Sequence, residues 1–331
     1  MKIALKAALS WPGVPRDFLI VMMLFNVTKT SCAEDVSQTP VPGLQICGVV
    51  RDASGAAVPD VLVTFYPAWH PNMFLRAKTR TDRNGRYNFA LQCAPDKAFW
   101  VGSRSRMSAV MARCPERNLA AIAEFEPIPT NLDLNLQPGI TLSGLVMDTN
   151  TVPIPGAAFK LVFVCDKLSF ELDENPVNAD AVGRFVIPGL PQGRDYMSFP
   201  RITAEGYGAA SLHLDATHSC TNQYEFPPMV LKRANCMLAG LVLGDDGKPV
   251  PGASVNLFGR DQRDLVQTKT DGSGHFLFRA ICPGEVWLNG SFFCPDYSVM
   301  SSGPTENTAE AGTTNVVLIL RHQAADRGVA H

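Results

Sequence analysis

Gly240-Leu-Val-Leu-Gly, followed by Pro251-Gly252, is the third appearance of one phrase. Gly144-Leu-Val-Met-Asp runs ahead of Pro155-Gly156, and Gly48-Val-Val-Arg-Asp ahead of Pro59-Asp60. The glycines stand at 48, 144 and 240 and the prolines at 59, 155 and 251, a constant step of 96 residues. Self-similarity at a fixed period marks repeated structural units. A unit of about 95 residues exceeds a solenoid repeat and is large enough to own a hydrophobic core. The 331-residue chain therefore reads as three beads on a string behind an N-terminal extension.

A second phrase recurs inside each bead: Thr81-Asp82-Arg-Asn-Gly85-Arg-Tyr87, Asp180-Ala-Val-Gly183-Arg-Phe185 and Thr270-Asp271-Gly-Ser-Gly274-His-Phe276. Asp precedes Gly by three residues each time, and apolar residues then alternate. This spacing predicts a hairpin in which Asp caps the turn, Gly takes a positive φ, and the following strand puts its aromatics on one face. Apolar runs at 46–50, 142–147 and 238–243 read as opening strands. The stretches 61–66, 157–164 and 253–258 read as second strands, and 132–136, 224–231 and 316–320 as closing strands. Trp100, Tyr196 and Trp287 hold matched places, which points to core packing. About seven short strands per bead without helical periodicity predict an all-β chain of three tandem Greek-key β-sandwiches, immunoglobulin-like or transthyretin-like in build.

The order of these motifs resembles the carboxypeptidase regulatory-like domain of the transthyretin-like (prealbumin-like) group. The resemblance is strongest in the third bead and weakest in the first, where Asp60 replaces a glycine. It implies three such domains at 44–137, 138–233 and 234–321, after a signal peptide at 1–33 and a linker at 34–43 and before a tail at 322–331. It also implies a non-catalytic linking, accessory or binding module of an exported bacterial protein, with carbohydrate or protein as the natural ligand.

Composition narrows the function classes. A net charge of −2 with no basic run interleaved with aromatics argues against nucleic acid as a partner. Lys2, Lys6 and Arg16, the apolar run at 18–25 and Ser31-Cys32-Ala33 form a secretory signal pattern with cleavage after Ala33. That run is too short to span a bilayer, so no transmembrane anchor is expected after cleavage and the mature chain belongs outside the cytoplasm. Eight further cysteines are compatible with disulfides. Cys93 with Cys114, Cys165 with Cys220, and Cys282 with Cys294 would give one bridge per bead; the other reading is buried free thiols.

No enzyme motif stands out and no cofactor is expected. A zinc carboxypeptidase needs two His and a carboxylate around an open metal, and no His-x-x-Glu or His-Glu-x-x-His occurs. His213, Asp215, His218 and Cys220 form the one constellation with metal-ligand chemistry, and a metal-dependent hydrolase using His213 and His218 is the alternative function. An accessory subunit of a cell-envelope complex is another. Asp-rich turns read as turn caps rather than calcium loops. Trp69-His70 in a long connection would offer a stacking platform to a sugar or peptide. No Lys sits on an opening strand, so no internal isopeptide bond is expected. Every shared residue is a turn or strand-entry position, which leaves specific function to the stretches that do not repeat: 67–80, 101–125, 165–179 and 205–223.

Overall fold

The glycine of the opening strand and the aromatic of the hairpin strand are cross-strand partners in every repeat: Gly48 faces Tyr87, Gly144 faces Phe185 and Gly240 faces Phe276. A Cβ on these glycines would come within 3.1, 2.8 and 2.6 Å of the respective rings. Each aromatic ring thus takes up the space a Cβ would need, and the two phrases of the sequence are halves of one contact. The computed structural model describes residues 40–67, 76–92, 107–165, 168–293, 299–301 and 307–322.

The turns follow the expected chemistry. Asp82 accepts from the backbone N–H groups of Asn84 and Arg86 at 2.8 and 2.9 Å, Asp180 from those of Val182 and Arg184, and Asp271 from those of Ser273 and His275. Gly85, Gly183 and Gly274 follow at φ of +69°, +74° and +79°. Asp60, standing where the other repeats have glycine, adopts the same left-handed conformation at φ 57°.

Each repeat is a two-layer β-sandwich. One layer centres on the opening strand. Pro40–Arg51 pairs antiparallel with Arg86–Gln92 and parallel with Leu134–Asn135. Ile140–Asp148 pairs antiparallel with Arg184–Leu190 and parallel with Gln223–Glu225 and Met229–Leu231. Cys236–Gly244 pairs antiparallel with His275–Ile281 and parallel with Val316–His322. The facing layer of the first repeat orders Ala77–Arg80, Leu62–Tyr66, Ser108–Cys114, Leu119–Phe125 and Gln137–Pro138. In the third it orders Val266–Lys269, Ser254–Phe258, Glu285–Phe293 and Val299–Ser301, and Val299–Ser301 also pairs with Val316–His322, so the two layers join into one sheet. The second repeat breaks this layer into two four-stranded sheets, one built on Leu161–Cys165 and one on Ala158–Phe159. Its second strand, expected as one piece, is split there.

Alternation carries the burial. Along Ile140–Asp148 buried and half-buried residues alternate without a break, as one core face and one outer face require. Tyr196 is fully buried, as expected, while Trp287 is half-buried. The third repeat has its own core, including Val242, Val255, Phe276, Leu288 and Leu318. The second repeat does not stop at its own boundary: its cluster takes in Tyr66, Ala109 and Met111 of the first.

Candidate functional site

Of the residues singled out from the sequence, Trp69, His70, Cys93, Trp100 and Cys294 lie outside the described residues. Cys165 and Cys220 are both present as free thiols, so the bridge expected between them is corrected. Cys165 closes the buried strand Leu161–Cys165, whereas Cys220 sits exposed in a short 3-10 turn with its thiol donating to the Ala216 carbonyl. Cys114 and Cys282 are likewise free thiols. Burial, with the Glu124 charge behind it, pushes the Cys165 thiol up to about 12, and burial beside Asp261 pushes Cys282 up to about 11. Both are protonated at neutral pH and behave as small core hydrophobes.

His213 is exposed on His213–Leu214, and His218 turns its Nδ1 onto Asp215 at 2.9 Å. The Thr217 hydroxyl, His218 and its backbone N–H hold the Asp215 carboxyl well below the usual carboxylate range. This is a capped turn. Among the described residues no three His, Cys, Asp or Glu side chains converge into a metal-holding group.

Described parts of the non-repeating stretches meet the neighbouring repeat at two joints. At the first joint Tyr66, 1% exposed, packs edge-on against Phe163 with centroids 4.9 Å apart and lies 5.7 Å from Phe170. Its hydroxyl donates to the Leu172 carbonyl at 2.7 Å, and burial raises its pKa. Arg76 stacks over the same ring, 4.8 Å from its centroid, and donates to the Glu171 carbonyl. Arg113, 8% exposed, bonds the second repeat through each guanidinium nitrogen: Nε to the Gly189 carbonyl at 3.0 Å, one terminal nitrogen to the Pro188 carbonyl at 3.0 Å, the other to Asp173 at 3.1 Å. Asn118 donates to the Gly139 carbonyl and accepts from the Gly189 N–H and the Thr141 hydroxyl. Glu124 pairs with Arg194.

The second joint uses the same device with different surroundings. Arg201, 8% exposed, donates through Nε to Asp264 at 2.5 Å, through one terminal nitrogen to the Arg260 carbonyl at 2.7 Å, and through the other to the Gln262 carbonyl. Its backbone N–H reaches the second oxygen of Asp264 at 2.8 Å. Arg263 returns the grip, donating to the Tyr207 and Ala204 carbonyls at 2.9 and 2.6 Å. Lys232 pairs with Asp261 at 2.7 Å, and the Ala209 N–H donates to the Asp261 carbonyl. Gly208 lies so close that a Cβ there would land on the Asp261 carbonyl oxygen and the Cys282 sulfur. The hydrophobic clusters of the second and third repeats stay separate.

Tyr66, Arg113 and Arg201 were not singled out by the sequence reading. Arg113 and Arg201 are the two arginines buried among the described residues, and a lone arginine in an apolar strand such as Ser108–Cys114 was the signal available for the first.

No family model matches the chain, and no curated protein matches it. Among solved structures it is similar to a Streptococcal ancillary pilin at 11% identity, covering 84% of this chain and 99% of that one, with a TM-score of 0.29. It is similar also to GBS52, the minor pilin of Streptococcus agalactiae, at 14% identity over 58% of this chain and 100% of that one, with a TM-score of 0.31. The TIE protein of Bacillus anthracis aligns at 11% identity over 85% of this chain, with a TM-score of 0.24; the chain spans 51% of that protein's length. With scores this low, the fold assignment rests on the strands and sheets described above.

Proposed function

We propose that this chain is an exported, non-enzymatic spacer of the cell surface or envelope, whose repeats hold what lies at either end at a fixed separation and angle. The observation that carries this reading is the position of the non-repeating sequence. Parts of 67–80, 101–125 and 165–179 supply Arg76, Arg113, Asn118, Glu124, Glu171 and Asp173 to the first joint, and 205–223 supplies Tyr207 and Gly208 to the second. Sequence specific to one repeat is spent on fixing that repeat to its neighbour. A guanidinium with all three nitrogens bonded, two to backbone carbonyls and one to a carboxylate, fixes position and orientation together.

Export is supported by the signal pattern at 1–33. Among the described residues no helix is long and apolar enough to cross a membrane. Protein partners at the surface suit a spacer, and the carbohydrate reading rests on Trp69 and His70. For the hydrolase reading, His218 meets Asp215 through Nδ1, His213 is exposed on His213–Leu214, and among the described residues no three His, Cys, Asp or Glu side chains gather there.

The test is a distance distribution between spin labels placed on exposed positions of the first and third repeats of the full chain. A spacer gives one narrow distance, and Arg113→Met or Arg201→Met broadens it. A broad distribution in the unaltered protein would remove the rigid-spacer reading.

A further inference from the structure

Tyr66 and Arg113 stand on the outer face of the first repeat's facing layer, where the second repeat covers them. The rungs there pair Tyr66 with Ala109, Thr64 with Met111 and Leu62 with Arg113. Tyr66, Thr64, Ala109, Met111 and Arg113 are all buried. The third repeat builds the same rungs, counted alike from Pro59 and Pro251: Phe258 with Trp287, Asn256 with Asn289, and Ser254 with Ser291. Their strand neighbours Val255, Leu257, Val286 and Leu288 fill the core, so alternation turns these six side chains to the outer face. All six are half-buried there, and Gln267 stands exposed beside Asn256 on the edge strand. Phe293, 76% exposed, lies on the same face about 20 Å along the strand from Trp287, at about 3.3 Å per residue.

We infer that this face is a binding site for a neutral oligosaccharide. The first joint shows what these positions carry when they hold protein: an apolar ring, a methionine and a buried arginine. At the same rungs the third repeat has amides and hydroxyls, with asparagine in the place of Met111 and serine in the place of Arg113. Ser254, Asn256, Gln267, Asn289 and Ser291 hydrogen-bond no other described residue through their side chains. Their donors and acceptors stand open on neighbouring strands about 4.8 Å apart. A sugar ring has the matching surfaces: hydroxyls that donate and accept at its edge, and a C–H face that lies on an aromatic ring. Charged side chains keep to the border of the face, Lys269 on the edge strand and Glu285 beyond Trp287. A neutral ligand therefore covers the middle without leaving a charge buried and unpaired. The distance from Trp287 to Phe293 suits a chain of several sugars with an aromatic at each end. This site is distinct from Trp69 and His70, and it stands independently of the spacer reading.

The test titrates the full chain with linear hexasaccharides of glucose, mannose and N-acetylglucosamine, and with hexagalacturonate as an anionic counterpart, by isothermal titration calorimetry. At least one neutral hexasaccharide should bind with a dissociation constant of about 1 mM or below, and hexagalacturonate should bind more weakly. Trp287→Ala should weaken binding about tenfold or more. Asn256→Ala and Asn289→Ala should each weaken it about fivefold, the net worth of one hydrogen bond. Circular dichroism identifies any variant that loses its fold, and the remaining variants then carry the comparison. Absence of binding to every neutral hexasaccharide at about 10 mM overturns the proposal. So does tighter binding of hexagalacturonate, or binding that Trp69→Ala abolishes and Trp287→Ala leaves intact. Copies of the chain that associate in sedimentation and cease to do so with Trp287→Ala assign the face to protein, and likewise overturn it.

Discussion

The two joints are made by the same side chain and are held by different forces. At the first, Arg113 is set beside a continuous apolar core that runs from Tyr66 and Met111 of one repeat into Phe163 and Phe170 of the next. At the second, Arg201 works among carboxylates, carbonyls and the close backbone contact at Gly208, with no shared apolar cluster. Apolar burial is non-directional and scales with area, so it fuses two repeats into one cooperative unit. Hydrogen bonds to fixed carbonyls are directional and small in net energy, so they set an angle without merging the cores. The first joint is a weld, and the second is a bolt.

This contrast can be broken most directly at Tyr66. Replacing it by Ala should cost about 4 kcal/mol and lower the denaturation midpoint of the first and second repeats together, followed by urea unfolding with separate fluorophores. If only the first repeat weakens, the cores are not fused. Next in size, Arg201→Met leaves Asp264 half-buried without its guanidinium, holding only the backbone N–H of residue 201, at a cost of about 3 kcal/mol. Calorimetry should then resolve the third repeat as a separate transition, while Arg113→Met should keep the first two repeats in a single one. The reverse result would swap the roles of the joints. Gly208→Ala drives a methyl group into the second joint and should destabilise by about 2 kcal/mol, with increased amide exchange confined to residues near 201–209 and 260–264.

The smallest effect is acid sensitivity near the second joint. The N–H groups of Val152 and Asn150, with Arg233 beside them, hold the Asp148 carboxyl below its ordinary value. Arg233 also stacks over Tyr207, 5.2 Å from its ring centroid. A depressed folded pKa contributes stability that is whole above the unfolded value of about 3.9 and is lost as the pH falls through the lower folded value. Urea midpoints should therefore decline below about pH 4, and Asp148→Asn should flatten that slope. An unchanged slope would place the acid response elsewhere.

The scaffold was legible because its causes are local. An Asp three residues before a Gly names its own turn, and Gly48 with Tyr87 names a cross-strand contact twice over, once in each phrase. The joints were not legible for the opposite reason. Arg113 and Arg201 bond mainly to main-chain carbonyls, which every residue possesses, so no complementary residue type marks the other side. Cysteine parity misled for Cys165 and Cys220 because a thiol fills a core position as well as it forms a bridge. Asp60 shows how much the turn tolerates: an Asp in the left-handed region costs little beside other side chains, and Arg80 lies 3.1 Å from its carboxylate.

The parallel pairing of closing strand with opening strand bears on how the chain meets force. A pull on the two ends of a repeat acts along strands that point the same way and are joined by a ladder lying across the pull. The load is then shared as shear over all rungs at once, rather than opening them one at a time. The third repeat has five such pairs, from Gly240 with Val316 to Gly244 with Leu320, and the second has three on each of two closing strands. The first has two, at Val50 and Arg51, and one isolated parallel bridge from Cys47 to Asn131. Under tension in a single-molecule stretch, the first repeat should yield at the lowest force, leaving the other two as the part that stays taut.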